Sequence, residues 1–311
     1  MNFRAFREED LAALVDEVRP LASEGKVATY IPELARGNPE SLAVAAVDGK
    51  GSEVAAGDRD LRFTMQSISK VVSLAVALSE FGEKAVFGRV GMDPTADPFN
   101  SVMRLEMVRP HRPQNPLINA GAIVVDSMLL ARGPEEAFHS IREMARRMTG
   151  NPQLRENEAV YLSEKRTGDR NRSLAYFLKS VKTIRGDVEE ILDVYFRQCS
   201  LEVTVSDLAV LAGTLAFDGK NPLTGETVLP GKICRILRAL MATCGLYDGS
   251  GEFAVRVGIP AKSGVGGGIV ASVPGVMGIS VCGPALDHQG NSIAGIALLE
   301  RLSDRFGLRV L

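Results

Sequence analysis

Apolar residues recur at Leu11, Leu14, Val15 and Val18, a helical period that predicts a surface helix over Glu8 to Val18, with Pro20 marking its end. Leu42 to Val47 and Ser52 to Ala56 are short Val/Ala-rich runs flanking Asp48-Gly49-Lys50-Gly51, which predicts an antiparallel hairpin. After Gly57-Asp58 the run L-R-F-T-M-Q-S-I-S-K-V-V-S-L-A-V-A-L-S-E-F-G reads as one apolar helix that closes on Gly82. From there to about Asp218 the pattern is mostly helical, broken by the Pro-rich loop Arg109 to Pro116. Pro134 opens a helix that runs out by Gly150. Thr204 with Asp207 forms a capping box ahead of Leu208 to Phe217, and Gly219 stops that helix. Phe253 to Ile259, Ile269 to Val273 and Met277 to Cys282 read as strands, the last two joined by a turn at Pro274-Gly275. A helix from about Ser292 to Phe306 ends the chain.

The order is hairpin, helical insert, hairpin, helix. Neither sheet portion can bury both of its faces alone, so the economical arrangement is one antiparallel sheet with the helical part beside it, an α/β chain of the α+β kind. We expect a single domain over residues 1–311, with a split α/β portion (about 20–70 and 225–311) and a helical portion (about 71–224).

With 45% hydrophobic and 24% charged residues, the chain has a sizeable core and is neither a disordered tail nor charge-dominated. A net charge of -2, without a block of Lys and Arg, gives no face for wrapping nucleic acid. The four cysteines, Cys199, Cys234, Cys244 and Cys282, form no C-x-x-C pair and read as buried thiols. The N-terminal M-N-F-R-A-F-R-E-E-D-L reaches acidic residues before any apolar run, which argues against an export signal and for a cytoplasmic location. Ser263 to Leu286 is uncharged, but its repeated Gly and Pro suit strands of a sheet core rather than a membrane span.

Ser67-Ile68-Ser69-Lys70 places a hydroxyl and an amine one helical turn apart. A lysine in the apolar company of Val71, Val72 and Leu74 can have its pKa lowered by burial until it serves as the base for a serine nucleophile. Spacing alone does not separate this from a helix-start serine without chemistry, and Ser23-Glu24-Gly25-Lys26 matches the spacing too, although Gly25 spoils it as a helix start. The second element, Lys262-Ser263-Gly264 at a strand edge, follows in the order known for serine acyltransferases that open with S-x-x-K. The three histidines, His111, His139 and His288, do not pair at ligand spacing, so no metal is expected. No phosphate-cradling glycine motif is complete, so no nucleotide cofactor is expected.

F-T-M-Q-S-I-S-K-V, N-P-L-I-N-A-G-A-I, S-E-K-R-T-G-D-R-N, Y-F-R-Q-C-S, C-G-L-Y-D-G-S-G-E-F-A and K-S-G-V-G-G-G-I together resemble the blocks of the bacterial-type glutaminase family, which is similar in fold to the serine β-lactamases and penicillin-binding transpeptidases. The resemblance implies hydrolysis of the L-glutamine side-chain amide, with Ser67 as nucleophile, Lys70 as its activating partner and Tyr247 assisting proton transfer to the leaving nitrogen. It further implies an oxyanion hole from the Ser67 and Val265 amides. Tyr30, Asn119, Asn171 and Tyr195 would face the substrate, and Glu164 would hold its ammonium. Lys262 and Ser263 are possible supporting residues, and on spacing alone Lys262 is equally a strand-end charge. The resemblance also implies a homo-oligomer, dimer or tetramer. Another serine hydrolase of the same fold, a lactamase or esterase, and a non-enzymatic binding protein remain the competing readings, although no S-D-N is present and Ser206-Asp207-Leu208 only partly imitates it.

Overall fold

Two hairpins far apart in the chain build one sheet. β1 (Ala43–Asp48) and β2 (Glu53–Gly57) form the first and β6 (Gly268–Val273) and β7 (Met277–Cys282) the second, with β5 (Ala261–Ser263) on the edge beside β6. All pairs are antiparallel, in the order β2-β1-β7-β6-β5, and the hairpins join where Ala45 lies opposite Ser280. The computed structural model describes residues 6–107 and 109–311. The first five residues, part of the N-terminal stretch read above for an export signal, lie outside the described residues.

Strand alternation sorts side chains into two cores. Val44, Ala46, Ile279 and Val281 pack with α1 (Glu8–Val18) and α12 (Ile293–Phe306) on one face. Ala43, Ala45 and Val47 pack on the other with α9 (Val205–Ala216), a helix that the sequence groups with the helical portion. α9 approaches so closely that a Cβ on Gly278 would stand 2.1 Å from Gly213 N, and Ser280 Oγ donates to Val205 O at 2.9 Å. Glycine in β7 is therefore a packing requirement. The Thr204/Asp207 capping box starts α9 as expected, and Ser292 caps α12.

The helical layer comprises α2 (Ser69–Arg89), α3 (Met103–Met107), α4 (Asn119–Leu129), α5 (Pro134–Thr149), α6 (Glu158–Thr167), α7 (Asp169–Ser180) and α8 (Val188–Cys199), and α10 (Gly231–Cys244) returns against α2. Every residue of α2 from Ser69 to Leu78 is buried, as befits a helix apolar on all sides at the centre of the molecule. No helix among the described residues is long and apolar enough to cross a membrane, and Ser263 to Leu286 indeed forms strands.

Two expectations need correction. Phe253 to Ile259 is not a strand: Ser250–Arg256 forms a short helix, α11. Phe253 and Val257, four residues apart, are buried while Val255 between them is 77% exposed, so the period that packing selects is helical. The apolar run after Asp58 is also not one helix. Phe63–Thr64 forms β3, paired with β4 (Glu202–Val203), and Met65 N donates to Leu201 O at 2.8 Å. A single 3-10 turn, Gln66–Ile68, then leads into α2, whose helical dihedrals break at Gly82 (φ 74°) before the chain resumes to Arg89.

Candidate active site

Ser67 occupies the middle of that 3-10 turn, at the junction of the small sheet and the central helix. The residue before it, Gln66, is held at φ 48°, a conformation costly for a side-chain-bearing residue. Gln66 Nε2 donates to Thr64 Oγ1 (3.1 Å) and Ser69 Oγ donates to Gln66 O (2.7 Å), which ties the strained turn down. The opposing edge is equally close: a Cβ on Gly264 would meet Met65 O at 2.6 Å, so only glycine lets β5's end lie along the Ser67 segment. There the Gly264 and Gly267 amides are tied to Gly268 O and Gly264 O, 2.9 Å each. Among the described residues no main-chain carbonyl accepts from Val265 N.

Lys70 lies one turn beyond Ser67 and is 1% exposed. Its Nζ donates to Asn119 Oδ1 at 2.5 Å, and Asn119 Nδ2 donates to Asn171 Oδ1 at 2.9 Å, a chain running from α2 through α4 to α7. Burial pushes the Lys70 amine down to about 8, against Cys199, Asp126 and Glu164, which pull it up. Tyr247, at φ 57° in the 3-10 turn after α10, sets its hydroxyl 3.5 Å from Ser263 O. Burial pushes its phenol up to about 12, opposed by the Ser67 hydroxyl beside it, so the group remains a proton donor at neutral pH. Its ring is tilted against Phe99, centroids 4.5 Å apart.

Lys262 is fully buried in the wall behind this tyrosine. Its Nζ donates to Gly245 O (2.8 Å) and Ser263 O (2.6 Å) and lies 4.2 Å from the centroid of the Tyr247 ring. The plain strand-end charge considered from spacing is therefore excluded. Burial, and then the charge of Lys70, drives its amine well below the usual lysine value. Ser263 Oγ is 3.4 Å from the same Gly245 carbonyl.

In front of Ser67 is a pocket lined by Tyr30, Asn119, Glu164, Asn171, Tyr195 and Val265 together with the nucleophile candidate itself. Tyr30 stands at the mouth, 56% exposed, whereas Tyr195 is buried with Lys70 Nζ 5.8 Å from its ring centroid. Glu164, on α6, is 5% exposed, and its Oε1 has no hydrogen-bond partner among the described residues. Burial pushes its carboxyl up to about 7, opposed by Gln66 and by Lys70. Lys70, Tyr247, Lys262 and Ser263 do not line the pocket and stand behind its wall.

Sequence reading missed several lining residues: Gln66, Phe99, Asn100, Arg170 and Cys199. Gln66, Arg170 and Cys199 sit inside the blocks F-T-M-Q-S-I-S-K-V, S-E-K-R-T-G-D-R-N and Y-F-R-Q-C-S, so the signal was present without an assigned role. Arg170 Nε, on α7, donates to Asn100 O at 2.8 Å and ties the Phe99-Asn100 loop to that helix. Ser67 and Glu164, a buried carboxyl with one unpaired oxygen, thus share one pocket, and the buried Lys70 amine and Tyr247 phenol stand behind its wall.

Comparison with known proteins gives one answer. The Glutaminase family model matches residues 25–311. The glutaminase of Clostridium tetani is 50% identical over 303 residues, covering 97% of this chain and 99% of that protein. The solved structure of a Bacillus glutaminase superposes with a TM-score of 0.91 at 38% identity, covering 98% of this chain and 99% of that one. A Bacillus subtilis glutaminase in covalent complex with 5-oxo-L-norleucine, formed by reaction with 6-diazo-5-oxo-L-norleucine, superposes with a TM-score of 0.89 at 38% identity, covering 97% of this chain and 99% of that one.

Proposed function

The chain belongs to the glutaminase family, and we infer that Ser67 is the nucleophile with which it hydrolyses the side-chain amide of L-glutamine to L-glutamate and ammonia. Lys70 Nζ accepts the Ser67 proton as Oγ attacks the amide carbon, and the resulting oxyanion faces the Ser67 and Val265 amides. Tyr247 gives its proton to the nitrogen, which leaves as ammonia, and recovers it from Lys70. Water then attacks the acyl-enzyme by the same route and releases glutamate. The covalent complex formed by the Bacillus relative supports a covalent route. In this reading Lys262 and Ser263 hold Tyr247 in place, while Asn119, Asn171, Tyr30 and Tyr195 surround the amino acid. The chain is further read as a cytoplasmic homo-oligomer, dimer or tetramer.

The observation that carries substrate choice is the unpaired, buried Glu164 Oε1 in the same pocket as Ser67. A desolvated carboxylate needs a cation, and the α-ammonium of glutamine is one. Glu164→Gln keeps the shape and removes the charge, so kcat/KM for glutamine should fall by ~2 to 4 kcal/mol equivalent. For an acyclic amide lacking the α-amino group the ratio of wild type to variant should shrink toward one, and an unchanged ratio would refute the pairing.

The pH profile follows from the same two groups. Glu164 must be ionised to hold the ammonium and Lys70 must be neutral to take a proton, and both conditions are met as pH rises. With these groups at about 7 and about 8, kcat/KM for glutamine should climb from pH 6 to a plateau above pH 8. A profile flat from pH 5 to 8 would contradict both assignments.

A further inference from the structure

Among the described residues, two charged side chains line the pocket in front of Ser67, Glu164 and Arg170, and they stand at different depths. Glu164, in the last turn of α6, is buried, whereas Arg170, in the first turn of α7, is exposed at the mouth. Gly168 joins the two helices. A Cβ there would stand 2.4 Å from Cζ of the buried Phe196 and 2.9 Å from Glu164 O, so glycine is what lets the start of α7 press against α8. That close approach sets Gly168, Arg170 and Asn171 together in the pocket wall. The amino end of a twelve-residue helix, which has no side-chain cap, therefore opens on the pocket and adds its positive potential to the guanidinium. The neighbouring bases are engaged elsewhere, Lys165 with Asp193 and Arg172 with Glu189. Arg170 spends only Nε, on Asn100 O, and its two terminal nitrogens have no partner among the described residues.

Glutamine has three polar ends. Ser67 receives the side-chain amide and Glu164 the ammonium, both at buried positions, so the α-carboxylate is the end left to face the start of α7. We propose that Arg170 is a specificity-determining residue that makes a free α-carboxylate a requirement of this pocket, so that the enzyme takes glutamine as the free amino acid and discriminates against glutamine at the N-terminus of a peptide. The proposal rests on the reading of this pocket as the glutamine site. An N-terminal glutamine carries the same ammonium and the same side-chain amide, and it differs in having an amide carbonyl where the free amino acid has a carboxylate. The amide group of Asn171 can donate to either oxygen, so it separates the two poorly. A positive charge does separate them. The carboxylate keeps its charge throughout the reaction, so Arg170 holds ground state and transition state alike and acts through KM rather than kcat. Its exposure means that water screens the pairing, and the effect is smaller than the one expected at the buried Glu164.

The test compares L-glutamine with L-glutamine α-N-methylamide, a neutral stand-in for the peptide from which ammonia can come only from the side chain. Arg170→Met removes the charge and keeps an unbranched side chain. Its kcat/KM for glutamine should fall about tenfold, almost wholly through KM, while that for the methylamide stays within about twofold of wild type. Arg170→Lys, which restores a charge without the planar fork, should bring glutamine back to within about threefold. Where turnover of the methylamide is too slow to follow, its inhibition constant against glutamine hydrolysis takes the place of kcat/KM. A loss of equal size for both substrates would mean that Arg170 only ties down the Phe99-Asn100 loop, and it overturns the proposal, as does an unchanged KM for glutamine. If Arg170→Met does not fold, Arg170→Gln is held to the same outcomes. Failure of the underlying reading is a separate result: the wild-type protein would then release no ammonia from glutamine.

Discussion

Ser67→Ala should abolish glutamine hydrolysis by at least ~10³-fold while the protein remains folded, because the lost oxygen is the atom that bonds to the substrate carbon. The fold has little at stake in it. The hydroxyl is not the cap of α2, whose first turn is approached through Ile68 without a side-chain cap, and Ser69 Oγ rather than Ser67 ties the strained Gln66 carbonyl. Removing Ser67 Oγ therefore leaves the turn's own hydrogen bonds in place. The oxyanion amides and the Glu164 pocket persist too, so the variant should bind glutamine and fail at chemistry. Ammonia release, a thermal melt and glutamine binding by calorimetry, taken together, decide it. Turnover within tenfold of wild type would sink the nucleophile assignment, whereas lost turnover with an unfolded melt would decide nothing about chemistry and would call for Ser67→Cys.

The degree to which this site could be read from the chain depends on how local each part is. Ser67 and Lys70 are one turn apart, and Lys262 and Ser263 are adjacent, so spacing makes each pair a candidate and their order along the chain strengthens both. Asn119, Glu164, Asn171, Tyr195, Tyr247 and Val265 come from separate elements spread over much of the chain, and nothing in their local pattern joins them. Only the block resemblance did.

The fold shows the same division. The hairpins were legible because alternation and turn residues are local, and their union into one sheet because each left a face uncovered. The α11 segment misled because Phe253, Val255, Val257 and Ile259 alternate with smaller or polar residues as a strand's would, and only packing around Phe253 and Val257 selects the helix. β3 and β4, two residues each, are too short for any period to show, yet their pairing sets where the Ser67 turn begins.

Removing the Lys70 amine should cost nearly as much as removing the Ser67 hydroxyl, and the two losses should not multiply. Lys70→Met keeps the buried methylenes of a side chain that is 1% exposed and deletes the amine, leaving Asn119 Oδ1 without its donor at a cost of about 1 to 3 kcal/mol in stability. With no base to take the Ser67 proton, kcat should drop by ~10³-fold, and the limb near pH 8 should vanish, because the group that titrates there is gone. If the hydroxyl and the amine act as one unit, then once either is absent the other has nothing left to do. Ser67→Ala/Lys70→Met should accordingly lie within a few-fold of the worse single variant. A double variant slower by the product of the two single losses would mean that each residue acts on the reaction independently. Lys70 would then be a source of positive potential for the oxyanion, and the base would have to be sought in Tyr247, whose phenol burial pushes up to about 12.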